Sequence, residues 1–335
     1  MITPAFGLTA TERVLPRLAL DFTTATLDPR VTFTRTTNAT NPATYIDSSG
    51  AITAATNNQP RFDYDPVTLV CKGLLIEESR TNSLLNTDLL STQIVTVTAA
   101  ARTLSFYGTG SVTLSGTHTA VVSGTGAYPT RTTYTFTPTA GALTLTVSGT
   151  VQYAQLEAGA FATSYIPTTL LPLTRNADVA VMTGTNFSDW YNQSQGSFVL
   201  QAARYVGTGG SMTHFSVSDG TNLDAYRLHS SGSDGIEYFT GLDGGATQWD
   251  RSRSAVTSDT PFQLCATYKA NAIAFALNGS AVTTDGTATI PTVDRLLFGQ
   301  TGNGTAGYGR QYIRKLMYYA QALTNAETSA FSKQG

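Results

Sequence analysis

Along most of the chain, apolar residues alternate with threonine and serine at a period of two, the repeat of a strand with one buried face. Between Leu18 and Thr87 the strand-like pieces are LALDF, VTFTR, ATYID and LVCKGLLIEE, broken at Asp28-Pro29, Ser49-Gly50 and Asp65-Pro66. Residues 91 to 156 repeat the pattern in IVTVTAA, RTLSFYG, SVTLSG, TAVVSG, TYTFTP, LTLTVSG and VQYAQLE. Glycine or proline punctuates them at the short, even spacing of a β-sandwich. Residues 186 to 335 give SFVLQAARYV, THFSVSD, AYRLHSS, GIEYFTG, FQLCATYKA, AIAFALNG, SAVTTDG, RLLFGQ and RQYIRKLMYYA. Asn278-Gly279 predicts a hairpin turn, because that pair supplies two positive φ angles. The one strong helix signal is ALTNAETSAFS, where Thr324 and Glu327 have the spacing of a capping box.

The pattern predicts an all-β protein of antiparallel, jelly-roll-type sandwiches with a short terminal helix. The expected organisation is an N-terminal arm (1–20), a β segment (21–90), a small sandwich (91–156), a connecting segment (157–185) and a larger sandwich (186–335). In the arm, Thr9 and Glu12 fit a second capping box, cut short by Pro16. The connecting segment is apolar and contains prolines, so it is expected to pack on both neighbours rather than hang as a linker.

Composition narrows the function. Only 13% of residues are charged and the net charge is −2, which argues against nucleic acid or an anionic membrane as partner. Cys71 and Cys265 stand alone, with no CxxC, and read as buried free thiols. No signal-peptide pattern and no apolar run long enough to span a bilayer is visible. The expectation is a soluble product of a cytoplasm, able to act outside the cell after lysis.

Two adjacent carboxylates stand in GLLIEESRTN, residues 73–82. On a strand, the adjacent Glu77 and Glu78 point to opposite faces, so they cannot flank one bond as a glycosidase pair does. They are expected to be structural, pairing with Arg80 or Arg61 to fix a join between domains. His118, His214 and His229 have no metal-ligand spacing. There is no GxSxG elbow and no GxxxxGK[ST] loop. GTGGS (207–211) and TGNGTAGYG (301–309) lie between strands and read as loops. No catalytic residue is predicted, and the protein is expected not to be an enzyme.

Two binding sites are candidates. SDGTNLD and GLDGG offer Asp219, Asn222, Asp224 and Asp243 as oxygen ligands of the kind calcium takes. A glycan needs an exposed ring and planar polar groups. QWDRSR supplies Trp249, Asp250 and Arg251 in an expected loop, and the glycine-rich loop adds Asn303 and Tyr308. Trp190-Tyr191 are expected to plug a domain junction.

The ordered series FALNG-SAVTTDG, DRLLFGQ, TGNGTAGYG, RQYIRKLMYYAQAL and TNAETSAF resembles the concanavalin-A-like, laminin-G-like sandwiches. A second resemblance lies upstream, in ALDFTTATLDPRVTFTRTTNAT…TYIDSSGAI, PRFDYDPVTLVCKGLLIEESRTNSLL, QLEAGAFATSYIPTT and TRNADVA. These segments resemble virion proteins of tailed bacteriophages and prophages: tail-fibre, receptor-binding or head-associated proteins. The resemblance implies a virion protein that docks through its N-terminal region on other virion proteins and presents a lectin-like domain to host-surface polysaccharide. It also implies a homo-oligomer, typically a trimer, although no coiled-coil heptads are present. The alternative is a purely structural head-decoration or tail-assembly protein making protein contacts.

Overall fold

The computed structural model describes residues 15–207, 211–231, 233–305 and 309–334. They form two antiparallel β-sandwiches, as the alternation predicts. The front sheet of the larger sandwich has eight strands. Seven run in the order Thr283–Asp285, Ile273–Leu277, Phe262–Lys269, Gln195–Arg204, Arg310–Tyr319, Cys71–Glu77 and Phe62–Tyr64, and Leu18–Asp21 also pairs with Arg310–Tyr319. The seven-stranded back sheet runs Thr32–Thr34, Val179–Thr183, Arg295–Phe298, Met212–Ser218, Ala225–Ser230, Ile236–Asp243 and Ala246–Ala255. Between them lies one continuous core that includes Leu20, Leu74, Ile76, Phe198, Phe215, Tyr226 and Trp249.

Both sheets cross the boundary expected at residue 186. One side of Arg310–Tyr319 pairs with Gln195–Arg204. Its other side is shared by two N-terminal strands in tandem, Cys71–Glu77 on its first half and Leu18–Asp21 on its second. Thr32–Thr34 joins the back sheet through Val179–Thr183, a strand of the expected connecting segment. The cause is apolar alternation. Leu18 and Leu20, and Leu74 and Ile76, turn inward and complete the core, and their strands cover an otherwise open sheet edge. Three strands of the segment expected at 21–90, Thr32–Thr34, Phe62–Tyr64 and Cys71–Glu77, thus belong to the larger sandwich. Thr9 and Glu12 lie outside the described residues.

The strands of the smaller sandwich lie between Gln93 and Ala158. A four-stranded sheet (Ala120–Ser123, Ser111–Gly116, Gly141–Ser148, Gln93–Val97) faces a three-stranded one (Thr132–Phe136, Arg102–Tyr107, Gln152–Ala158). Leu104, Phe106, Val112, Leu114, Leu143 and Leu145 fill the space between. The expected hairpin forms with Asn278 at φ 48 and Gly279 at φ 75. The helix Asn325–Phe331 carries the expected reciprocal cap between Thr324 and Glu327.

Candidate functional site

The stretch 157–185 crosses between the sandwiches. Leu173–Arg175 pairs with Arg80–Asn82, and Asn82 Nδ2 donates to the carbonyls of Ala154 and Ile166 at 3.0 and 2.9 Å. This crossing brings Ser164, Arg175 and Asp178 against Arg35, Arg61 and Glu77. All five charged side chains of that set are fully buried. Arg61 bridges Glu77 at 2.8 Å and Asp178 at 2.5 Å, and Arg35 reaches Asp178 at 2.6 Å. Arg175 lies 3.4 Å from Glu77 and donates through Nη2 to the Glu78 carbonyl at 2.5 Å.

Burial alone would raise the Glu77 carboxyl, but Arg175 and Arg61, with hydrogen bonds from the Ser164 amide and hydroxyl at 2.8 and 2.7 Å, hold it well below the ordinary range. Burial opposes the charge on Arg61 too, and Asp178 and Glu77 outweigh it. Arg35 and Arg175 are lowered by burial, which their carboxylate partners do not fully offset.

Glu78, the next residue, points the other way. It pairs with Arg80, whose guanidinium lies 4.6 Å over the Phe161 ring. Gly159 makes room for it at φ +118, and a Cβ there would collide with that guanidinium. The two carboxylates therefore have separate arginine partners.

Beside this network is a cleft of about 310 Å³. One wall is the outer face of the front sheet, with Asp63, Lys72, Leu75, Arg310 and Tyr312. The hairpin Thr44–Ile46/Ile52–Ala54 adds Tyr45, Ile46 and Ile52. The smaller sandwich adds Tyr107, Pro129 and Arg131, and the crossing segment adds Ser164 and Tyr165. Asp63 accepts from the Ile46 amide at 2.6 Å and the Tyr312 hydroxyl at 2.8 Å, and burial raises its carboxyl. Arg310 Nη2 meets both Asp259 oxygens at 2.7 and 2.6 Å. Arg131 donates to the Thr163 carbonyl at 2.7 Å and to Ser105 Oγ at 2.8 Å. Lys72 Nζ lies 5.4 Å over the Tyr312 ring. The arrangement offers four tyrosine rings with fixed donors and acceptors. Each cleft carboxylate is already held by protein donors.

The residues singled out from sequence sit elsewhere. QWDRSR lies in the strand Ala246–Ala255, not in a loop. Trp249 turns inward and is 1% exposed. It packs on Phe239 and Tyr226 with centroids 5.3 and 6.1 Å apart, so it cannot stack on a sugar. The next side chain alternates outward: Asp250 accepts from Thr240 Oγ1 at 2.7 Å. Arg251 pairs with Asp285 at 2.6 Å. Asn303 braces its own loop, accepting from Thr301 and Thr305 hydroxyls at 2.9 and 2.8 Å. Tyr308 lies outside the described residues.

The calcium candidates are likewise loop braces. Asp219 accepts from the Thr221 amide at 2.8 Å and Asn222 from the Asn303 amide at 3.2 Å. Asp224 accepts from the Gly244 amide at 2.8 Å and Asp243 from the Thr289 hydroxyl at 2.6 Å. Among the described residues, no three His, Cys, Asp or Glu side chains converge as metal ligands.

Trp190 plugs the core of the larger sandwich rather than the junction between the two. His214 is buried between Glu237 at 2.6 Å and Gln311 at 2.8 Å. His229 is pushed down to about 3 by burial, with Arg227 adding to it. Both cysteines are free and buried, and burial pushes the Cys265 thiol up to about 12. The cleft residues escaped sequence reading because they come from distant segments and share no local motif. Their one signal is a tyrosine at an outward position of a strand, as in TYI and RQYIRKLMYY.

No protein-family model matches the sequence, and no curated protein does. Among solved structures, the carbohydrate-binding module (CBM40) of the Ruminococcus gnavus IT-sialidase, bound to α2,3-sialyllactose, is 18% identical with a TM-score of 0.37. The match covers 43% of this chain and 84% of that one. The NanB sialidase of Streptococcus pneumoniae (K499G mutant) is 14% identical, TM-score 0.38, over 44% of this chain and 26% of that chain. A botulinum neurotoxin type C chain, described with two ganglioside molecules in cell entry, is 13% identical, TM-score 0.37, over 46% and 39%. At this level of likeness no residue's role passes from those chains to this one.

Proposed function

We propose that this is a non-catalytic glycan-binding protein and that the cleft between its sandwiches is the site. One observation carries the proposal: Tyr45, Tyr107, Tyr165 and Tyr312 converge with Asp63, Lys72 and Arg131 on a single cavity between two sandwiches. Rings present apolar faces to the C–H side of a sugar, fixed polar groups meet its hydroxyls, and domain junctions are where such cavities concentrate. Tyr45, half-buried on a short hairpin, is the ring to remove. Tyr45→Ala is expected to weaken retention on a panel of immobilised bacterial polysaccharides by about tenfold, with the melting temperature little changed. Unchanged retention would exclude the cleft.

We place this binding on a phage virion, against host-surface polysaccharide. That placement rests on the resemblance of the segments between residues 18 and 180. Since Leu18–Asp21, Thr32–Thr34, Phe62–Tyr64 and Cys71–Glu77 are built into the larger sandwich, docking on other virion proteins would use the sandwich surface. Gold-tagged antibody to residues 186–335 is expected to label the tail tip in electron micrographs of purified virions. Label on no particle would overturn the placement.

A second reading, head decoration or tail assembly through protein contacts, is favoured by three leucines. Leu89, Leu170 and Leu171 are 62%, 79% and 67% exposed on neighbouring loops joined by Asn86 N to the Thr169 carbonyl. Capsid-wide label, with attachment to cells unaffected by Tyr45→Ala, would decide for it.

A further inference from the structure

Resting on the reading of the cleft as a glycan site, we infer that its ligand is an acidic saccharide whose carboxylate is met by Lys72 and Arg131. The argument is an inventory of charge. Three cations and three carboxylates line the cleft: Lys72, Arg131 and Arg310 against Asp63, Glu77 and Asp259. Two of the carboxylates are already neutralised. Asp259 is held at both oxygens by Arg310. Glu77 is held from behind by Arg61 and Arg175, in a network with three guanidiniums and only two carboxylates. The third, Asp63, spends its two oxygens on the Ile46 amide and the Tyr312 hydroxyl.

Lys72 and Arg131 remain. Neither forms an ion pair among the described residues, although Asp63 senses the charge of Lys72. Arg131 is anchored by neutral acceptors, Thr163 O and Ser105 Oγ. Glu157, which senses the charge of Arg131, is fully buried outside the cleft lining, where Thr163 and Gln155 donate to it. The cleft therefore holds two cations, Lys72 and Arg131, against one carboxylate, Asp63, that pairs with no cation. A positive, partly enclosed cavity beside tyrosine rings fits a sugar carboxylate, which would make charge-assisted hydrogen bonds strengthened by the shielded surroundings.

Affinity electrophoresis of the full chain tests this, with polygalacturonate, polysialic acid or neutral dextran cast in the gel at low and at high salt. At least one acidic polymer is expected to retard the protein, dextran is not, and high salt is expected to weaken the retardation. Lys72→Gln is expected to weaken binding to the acidic polymer about tenfold, as loss of one charged contact does, and Lys72→Arg to keep it. Which acidic polymer works tells a uronate from a sialate. Equal retardation by dextran, or acidic binding indifferent to Lys72→Gln, would overturn the inference. If Tyr45→Ala then abolished the dextran retardation, the cleft would stand as a neutral-glycan site. Retardation by no polymer would overturn both this inference and the cleft reading.

Discussion

Glu77→Gln is expected to destabilise the larger sandwich by about 3–5 kcal/mol, the cost of leaving buried charge without its partner. The substitution keeps the shape of the side chain and most of its hydrogen-bonding reach, so the loss isolates the charge. Without it, Arg35, Arg61 and Arg175 would share Asp178 alone, all with fully buried side chains. The neighbouring residue is the control. Glu78 is 27% exposed in its pair with Arg80, and Glu78→Gln is expected to cost no more than about 1 kcal/mol. Urea denaturation of the two variants measures the contrast. Equal small losses would mean that the buried network does not hold the sandwich.

The pH dependence has a definite sign. The folded-state pKa of Glu77 is depressed. Its contribution is therefore full above the unfolded value, about 4.3, and is lost as pH falls through and below that value. The gap between wild type and Glu77→Gln should be constant near neutrality and close in acid.

The period-two alternation made the sandwiches legible, the Asn278-Gly279 pair the hairpin and the Thr324/Glu327 spacing the terminal helix, because each is set by residues within a few positions of one another. What stayed hidden depends on distant segments. Nothing local in LALDF or GLLIEE says that both pair with RQYIRKLMYY, hundreds of residues later. The same holds for the charge network. Two carboxylates and an arginine were visible in GLLIEESR, but Arg35, Arg175 and Asp178 reach them only through the crossing strand. The burial of Trp249 was hidden for a local reason. A tryptophan followed by charged residues has the composition of a loop, yet in WDRS the same residues alternate inward and outward on a strand.

Trp249→Ala is accordingly expected to cost about 3–5 kcal/mol of stability, the range for emptying a buried aromatic site, and to read out as unfolding rather than as a lost sugar contact. Trp249 stands directly across from Gly241 on the neighbouring strand, and the indole fills the space a side chain there would take. A Cβ at Gly241 would collide with it, so Gly241→Ala should also destabilise, by about 1–3 kcal/mol through overpacking. Gly241 is not held at positive φ, so that penalty is steric and a smaller ring should relieve it. Trp249→Phe combined with Gly241→Ala should therefore cost less than the sum of the two single changes, a coupling that a double-mutant cycle in urea measures. Strict additivity would mean that the indole is not what requires glycine there. The same set separates stability from recognition. Trp249→Phe should leave polysaccharide retention at the wild-type level, since its ring faces the core and the cleft lies on the opposite face of the front sheet. A folded Trp249→Phe protein that no longer bound glycan would move the site away from the cleft.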